Sequence, residues 1–143
     1  DFIADGAHVH PMAIRAALAA KGFRKVLLIT DANIGAGLPP GTYDTPWGYP
    51  VRVKEGDGAR HAEKGFLAGS ALTMDAGIRN LKKWLPIPEE QVWAMGTSNP
   101  VQLLGLKNKG SLKAGMDADL VAWDEDGRAC KTWVKGECVY ERV

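Results

Sequence analysis

The chain has 143 residues, 45% of them apolar, with 18 basic side chains against 17 acidic ones for a formal charge of +1. That length suits one packed domain, and so even a charge balance, without a long block of one sign, offers no footing to nucleic acid or a charged membrane surface. No apolar run approaches the roughly 20 residues of a spanning helix and no signal-peptide pattern opens the chain, so a soluble, cytoplasmic protein is expected. Cys130 and Cys138 are too few for a disulfide scaffold or a zinc site.

In chain order, Phe2 to Val9 reads as a buried strand. Position 1 is Asp rather than Met and leads straight into that strand, which gives the expectation that the chain belongs to something longer. Pro11 suits a first helical position, Ile14, Ala17 and Leu18 keep helical spacing, and Gly22 stops the helix. Val26 to Ile29 is an uninterrupted apolar run, as expected of a strand covered on both faces in a parallel sheet. Phe2 to Thr30 is then a βαβ crossover. Ligands gather at the carboxyl ends of such strands, so the polar residues to watch are His8 and His10 after the first strand and Asp31 after the second.

Residues 33–48 hold Gly35, Gly37, Pro39, Pro40, Gly41, Pro46 and Gly48, and read as a loop with little regular structure, long enough to be a lid or site loop. A short hairpin around Val51 and Val53 is expected to turn at Gly56-Asp57-Gly58. Ala71, Met74, Ile78, Leu81 and Leu85 mark one helical stripe, with Arg79, Lys82 and Lys83 loading its C-terminal half. Pro88-Glu89-Glu90 opens another helix through Met95, and Asn99-Pro100 is expected to cap a third through Leu104. From Gly110 the texture turns to strands: Asp119 to Trp123 and Lys131 to Tyr140, with turns at Asp124-Glu125-Asp126-Gly127 and Lys135-Gly136. Trp133 should face Cys138 with Cys130 near Glu141, leaving two free thiols.

Several residues carry potential chemistry. His8 and His10 fall on one side of an extended chain and could form part of a metal site, for which Asp31 is the nearest further candidate; as a bland alternative, His10 ends the strand and faces solvent. A carboxylate at Asp31, where an apolar strand ends, would be partly desolvated and suited to act as base and then acid; its alternative is a turn or N-cap aspartate. Gly35-Ala36-Gly37 lacks the third glycine and the helix of a dinucleotide fingerprint. His61, among Arg60, Glu63 and Lys64, is expected to be solvated, and the tryptophans to be packing residues.

Taken in order, Asp5-Gly6-Ala7-His8-Val9-His10-Pro11, Leu28-Ile29-Thr30-Asp31-Ala32, Gly65 to Asp75, Ile78-Arg79-Asn80, Asn99-Pro100, Gly110-Ser111-Leu112 and Gly115 to Val121 resemble the N-acetylglucosamine-6-phosphate deacetylases of the amidohydrolase superfamily. The resemblance implies the C-terminal portion of a (β/α)8 barrel over 1–105, followed over 106–143 by β hairpins forming the C-terminal part of a small β-sandwich domain. It implies removal of acetate from N-acetylglucosamine 6-phosphate with a divalent metal such as zinc. The glutamate and two histidines that bind the metal are expected upstream of Asp1, so no residue here is assigned as a ligand and the chain alone is expected to be inactive.

By the same resemblance Asp31 is the catalytic aspartate, taking a proton from metal-bound water and later handing it to the departing amine. His8 polarises the acetyl carbonyl, Leu67, Ala68 and Gly69 border the sugar, and His10 has no required role. A homodimer is implied, without nucleic acid or membrane. Two other readings remain open: an amidohydrolase acting on a different N-acyl sugar or a cyclic amide, and a non-catalytic, self-associating remnant.

Overall fold

A computed structural model describes residues 1–142; Val143, the last residue of the expected small domain, lies outside the described residues. The architecture is mixed. Its elements are β1 (Phe2–Ile3), α1 (Pro11–Lys21), β2 (Leu28–Ile29), β3 (Gly41–Tyr43), β4 (Val51–Lys54), β5 (Gly58–His61), α2 (Met74–Trp84), α3 (Glu89–Gly96), α4 (Ser98–Leu103), β6 (Leu120–Trp123), β7 (Ala129–Val134) and β8 (Glu137–Glu141). They form a parallel pair β1-β2 and two antiparallel three-stranded sheets, β3-β4-β5 and β6-β7-β8.

The βαβ unit forms as expected: β1 and β2 run parallel, Phe2 opposite Leu28 and Ile3 opposite Ile29, with α1 crossing between them. The first strand is far shorter than Phe2 to Val9, for a local reason. The Asp5 carboxylate accepts the backbone N–H groups of Ala7 and His8 at 2.9 Å each, an Asx turn that bends the chain away from the sheet, and Gly6 supplies the positive φ of 77°. His10 takes the N-cap of α1, its Nδ1 accepting from Met12 N at 3.2 Å while Pro11 stands first in the helix. His10 is exposed at this cap, in line with its reading as a residue that ends the strand and faces solvent.

The main core joins the crossover to the helices after it. Ala4, Ile14, Val26 and Leu28 pack against Ile78, Leu81 and Leu85 of the α2 stripe and Val92 and Met95 of α3. Close approach is built in at Gly77, where a Cβ would lie 3.0 Å from Leu28. Asn99 was expected to cap a helix but lies one residue inside α4, 5% exposed, donating through Nδ2 to the carbonyls of Phe23 (2.7 Å) and Val26 (2.8 Å). Those carbonyls lie at the entry to β2, where Phe23 O otherwise accepts only from Val26 N, so the amide ties α4 to the sheet.

The glycine- and proline-rich stretch is not a plain loop. Within it β3 pairs antiparallel with β4, which pairs with β5 across the expected Gly56-Asp57-Gly58 turn. Gly35 is buried where any Cβ would meet Val53 at 2.4 Å, so Gly35-Ala36-Gly37 is a packed turn. Val51, Val53 and Ala59 form a second small core with Tyr43, Tyr49, Ala68 and Ala71 around it. In the last sheet both turns fall where the sequence put them and Trp133 faces Cys138, but a register shift after Thr132 sets Glu141 opposite Lys131 and brings Arg142, not Glu141, onto Cys130. Both thiols are free.

Arg79 carries that sheet. Its guanidinium donates to Asp75 Oδ2 at 2.7 Å and to the Gly127 carbonyl in the β6–β7 turn at 2.9 Å, while Trp93 packs against Trp123 at 4.8 Å. Partial burial opposes ionisation of Asp75, yet hydrogen bonds from Thr73 and Arg79, with the guanidinium charge, hold its carboxyl below the ordinary value of 3.8. A depressed folded-state pKa contributes stability that is complete above the unfolded value and fades as pH falls through the folded one. Acid titration should therefore loosen the β6–β7 turn from α2 only below about pH 3.8; Asp75→Asn should remove that dependence and cost about 1 kcal/mol at neutral pH, read by urea unfolding at both pH values. Asn99→Leu should cost about 2 kcal/mol at constant m-value, because the buried Val26 carbonyl loses its donor and the Phe23 carbonyl keeps only the Val26 N–H.

Candidate active site

The site grows from the carboxyl end of β2. Thr30 ends the apolar run, Asp31 adopts the left-handed conformation with φ 49°, and Asn33 follows. The chain from Ala68 to Ser70 lies alongside: Ser70 N donates to Asp31 O and Asn33 N to Ser70 O, both at 2.7 Å, so Ala32 and Ser70 form a parallel bridge that extends the sheet beyond β2. Ser70 is wholly buried; its hydroxyl donates to the Thr30 carbonyl and accepts from Leu72 N at 3.0 Å, and Asn33 Nδ2 donates to the Ala68 carbonyl.

This ladder fixes Gly69. Its φ is +66°, and a Cβ there would lie 3.1 Å from the Asp31 carbonyl oxygen and 3.4 Å from the Asn33 side chain. Asp31, Ala32, Asn33, Ala68 and Gly69 line an open pocket of about 300 Å³ whose far wall is Trp47 and Tyr49. Asp31 is exposed rather than partly desolvated as expected. The left-handed turn swings it off the sheet, and the polar backbone around it is bonded to neighbours, leaving the carboxylate to solvent and to whatever enters the pocket.

Leu67 stands on the other side of the same loop. It bridges Arg60 of β5, and Gly58 brings it to the first strand: a Cβ at Gly58 would meet Leu67 Cδ2 and Ala7 Cβ at 3.4 Å and Asp5 Oδ2 at 3.5 Å. Asp5 in turn holds His8, with Nδ1 2.7 Å from Oδ2. Asp31, Ala68 and Gly69 thus share one pocket, while Leu67 and Asp5, which holds His8, both lie against Gly58; the structure does not bring His8 into the Asp31 pocket. Asp5, Asn33, Trp47, Tyr49 and Ser70 join the site without having been singled out from sequence. Only Asp5 carried a signal, an acid three residues before the histidine.

His61 corrects the expectation of a solvated side chain. It is 4% exposed, stacked on Tyr49 at 4.7 Å and 12°, with Phe66 at 4.9 Å on its other side. Its Nδ1 accepts from Glu63 N and Lys64 N at 3.2 and 3.1 Å, closing the turn that leads into Leu67. Among the described residues no three His, Cys, Asp or Glu side chains come together as a metal centre, so the residues in place do not fit a divalent ion. No described helix is long and apolar enough to cross a membrane.

Parallel strand, crossover helix and a pocket at the strand's carboxyl end place the chain among the α/β folds whose sites sit at strand ends. Residues 6–139 match the amidohydrolase family, and the chain belongs to it. It is 43% identical over 142 residues to the N-acetylglucosamine-6-phosphate deacetylase of Vibrio furnissii, covering 99% of this chain and 35% of that protein. It is 36% identical over 138 residues to the N-acetylgalactosamine-6-phosphate deacetylase of Escherichia coli O157:H7, covering 96% of this chain and 36% of the other. An aspartate-to-alanine variant of N-acetyl-D-glucosamine-6-phosphate deacetylase from Mycobacterium smegmatis, solved in complex with N-acetyl-D-glucosamine 6-phosphate, superposes with a TM-score of 0.83 at 31% identity, over 96% of this chain and 36% of that one. The chain spans about a third of the length of these relatives.

The ladder predicts that Gly69→Ala is more harmful than its size suggests. A left-handed conformation forced on a Cβ and the contact with the Asp31 carbonyl together should cost about 2–3 kcal/mol, with a fall in thermal midpoint of several degrees. Ala68→Gly next to it should shift the midpoint much less, and equal losses at the two positions would remove the special role of the glycine.

Proposed function

We propose that this chain supplies the C-terminal portion of a deacetylase that hydrolyses the acetamide of N-acetylglucosamine 6-phosphate to glucosamine 6-phosphate and acetate. On this reading residues 1–105 are the last strands and helices of a (β/α)8 barrel and 106–143 the C-terminal part of a small β domain. The observation that carries it is the meeting of Asp31 with Ala68 and Gly69 in one pocket at the carboxyl end of β2. The Vibrio furnissii and Mycobacterium smegmatis relatives support the substrate, which the latter's aspartate-to-alanine variant holds in its complex.

Asp31 accepts a proton at a carboxylate oxygen from the attacking water as the hydroxyl adds to the acetyl carbon. It returns that proton to the nitrogen as the C–N bond breaks, which lets the amine leave neutral. His8 donates toward the acetyl oxygen, where negative charge gathers in the tetrahedral intermediate. Leu67, Ala68 and Gly69 border the sugar, the glycine allowing close backbone approach. The divalent ion of this reading, zinc or a similar metal, has no ligand set among the described residues, so residues 1–143 alone should turn over no substrate. The same reading takes a cytoplasmic homodimer.

The Escherichia coli O157:H7 relative supports a second substrate, the 4-epimer N-acetylgalactosamine 6-phosphate. Acetate release from both sugars, measured with the longer gene product and added divalent metal, decides between them. Absence of turnover on either would sink the deacetylase reading. Asp31→Asn should lower kcat by about 10²- to 10⁴-fold, and retention of full kcat would take the proton transfers away from Asp31.

A further inference from the structure

We infer that Asp5 is a positioning residue for His8: it holds the imidazole with Nδ1 protonated and presents Nε2 as the nitrogen that meets the substrate. This rests on the deacetylase reading for what Nε2 does there, but not for the pairing itself. Asp5 makes three polar contacts; in the two to backbone N–H groups it must accept, and the third, to the ring, takes its direction from the protonation of the pair. The N–H groups of Ala7 and His8 reach Oδ1 at 2.9 Å each, and His8 Nδ1 lies 2.7 Å from Oδ2. The two backbone donors cannot become acceptors, so an ionised carboxylate satisfies the whole set, and its remaining demand is met only by a proton on Nδ1.

The pair is also sheltered. The Asp5 side chain is 8% exposed and that of His8 16%, and Gly58 of the β4–β5 turn comes close over the carboxylate. Water therefore competes poorly for the bond. The other ring nitrogen is free: among the described residues Nε2 has no protein partner, yet no buried side-chain nitrogen or oxygen lacks one, so Nε2 is reachable from outside. The remaining histidines of the chain show the opposite arrangement. His10 accepts from Met12 N through Nδ1, and His61 accepts from Glu63 N and Lys64 N through Nδ1. In those rings Nδ1 keeps its lone pair and the neutral form is protonated at Nε2. Of the three, only His8 has an acid on Nδ1.

The consequence for chemistry is specific. With Nδ1–H committed to Asp5, Nε2 carries a lone pair in the neutral ring and a donor hydrogen in the imidazolium, so His8 donates to a carbonyl oxygen only when doubly protonated. An asparagine at position 5 keeps the acceptor for the two backbone N–H groups but offers the ring an amide that can itself donate. Nδ1 is then free to accept, and the neutral proton moves to Nε2.

Long-range 15N–1H correlation spectra of the full chain at about pH 8.5, where an ordinary histidine is neutral, read this directly, with His8 assigned from a His8→Gln variant. The expected spectrum has one ring, His8, with Nδ1 protonated and two with Nε2 protonated. Asp5→Asn should move His8 toward the other tautomer without changing the amide spectrum of α2 and α3. A wild-type His8 protonated at Nε2 overturns the inference before any variant is made, as does an Asp5→Asn ring that stays as it was. In the active longer protein, Asp5→Asn should lower kcat about 10- to 100-fold with little change in KM, because a neutral amide no longer balances the charge of the donating imidazolium even though the neutral ring gains a weaker Nε2–H donor, and should cost little more in a His8→Gln background. The expected tautomer together with full turnover by His8→Gln would support the pairing and overturn the role of His8 in deacetylation, so the two failures are told apart.

Discussion

The backbone ladder between 31–33 and 68–70 is the constraint from which the rest of the site follows. β2 is only two residues long, too short to hold its own carboxyl end rigid, and a strand end with unpaired amides would fray. Two backbone hydrogen bonds of 2.7 Å and the buried Ser70 hydroxyl extend the pairing past the strand and fix Asp31 in a left-handed turn that few non-glycine residues adopt. The same ladder forces a glycine at 69, because the neighbouring carbonyl is too near for a side chain. The Asp31 carboxylate and the close backbone beside it are thus one structural feature seen from two chain segments.

The small β3-β4-β5 sheet explains how that ladder is held. Its core of Val51, Val53 and Ala59 takes in Ala68 and Ala71 on either side of Ser70, and its turn glycine, Gly58, sits between Leu67 and the Asp5 turn. His61, stacked between Tyr49 and Phe66, tightens the turn that delivers Leu67. Tyr49 also lines the Asp31 pocket, so one ring serves both the support and the wall. A segment that looked like connecting sequence is therefore the brace that brings residues 67–69 to two different strand ends.

Where the chain's own neighbours decide structure, the sequence is a good guide. Pro11 and Gly22 bound α1, the Met74–Leu85 stripe makes α2, and Lys135-Gly136 makes the last turn, because each depends on spacing within a few residues. It is a poor guide where a distant partner decides. β3 forms because β4 lies beside it: Thr42 and Tyr43 suit a strand, but the glycines and prolines around them hide it until a partner pairs with them. His61 looks solvated among charged neighbours, and it is buried because rings 12 residues before and 5 after it close on its two faces. Asn99 resembles a cap until two carbonyls from β2's approach reach it. Of the candidate site, Asp31 and His8 stand out in the sequence as polar residues after apolar strands; Asn33, Tyr49 and Ser70 do not, because their places are set by the ladder and the small sheet.

The shortened first strand carries a further lesson about Asp5. A chain continuing as a strand to Val9 would put alternate side chains on opposite faces and leave His8 to whichever partner the next strand offered. By turning at Asp5-Gly6, the chain gives up several ladder hydrogen bonds and in exchange bonds its own amides to the carboxylate that also holds the ring. The histidine is then oriented by a residue three positions away, and its geometry no longer depends on sheet register. That local closure makes the Asp5–His8 pair a property of this segment itself, in contrast to Asp31, whose position depends on chain nearly 40 residues further along.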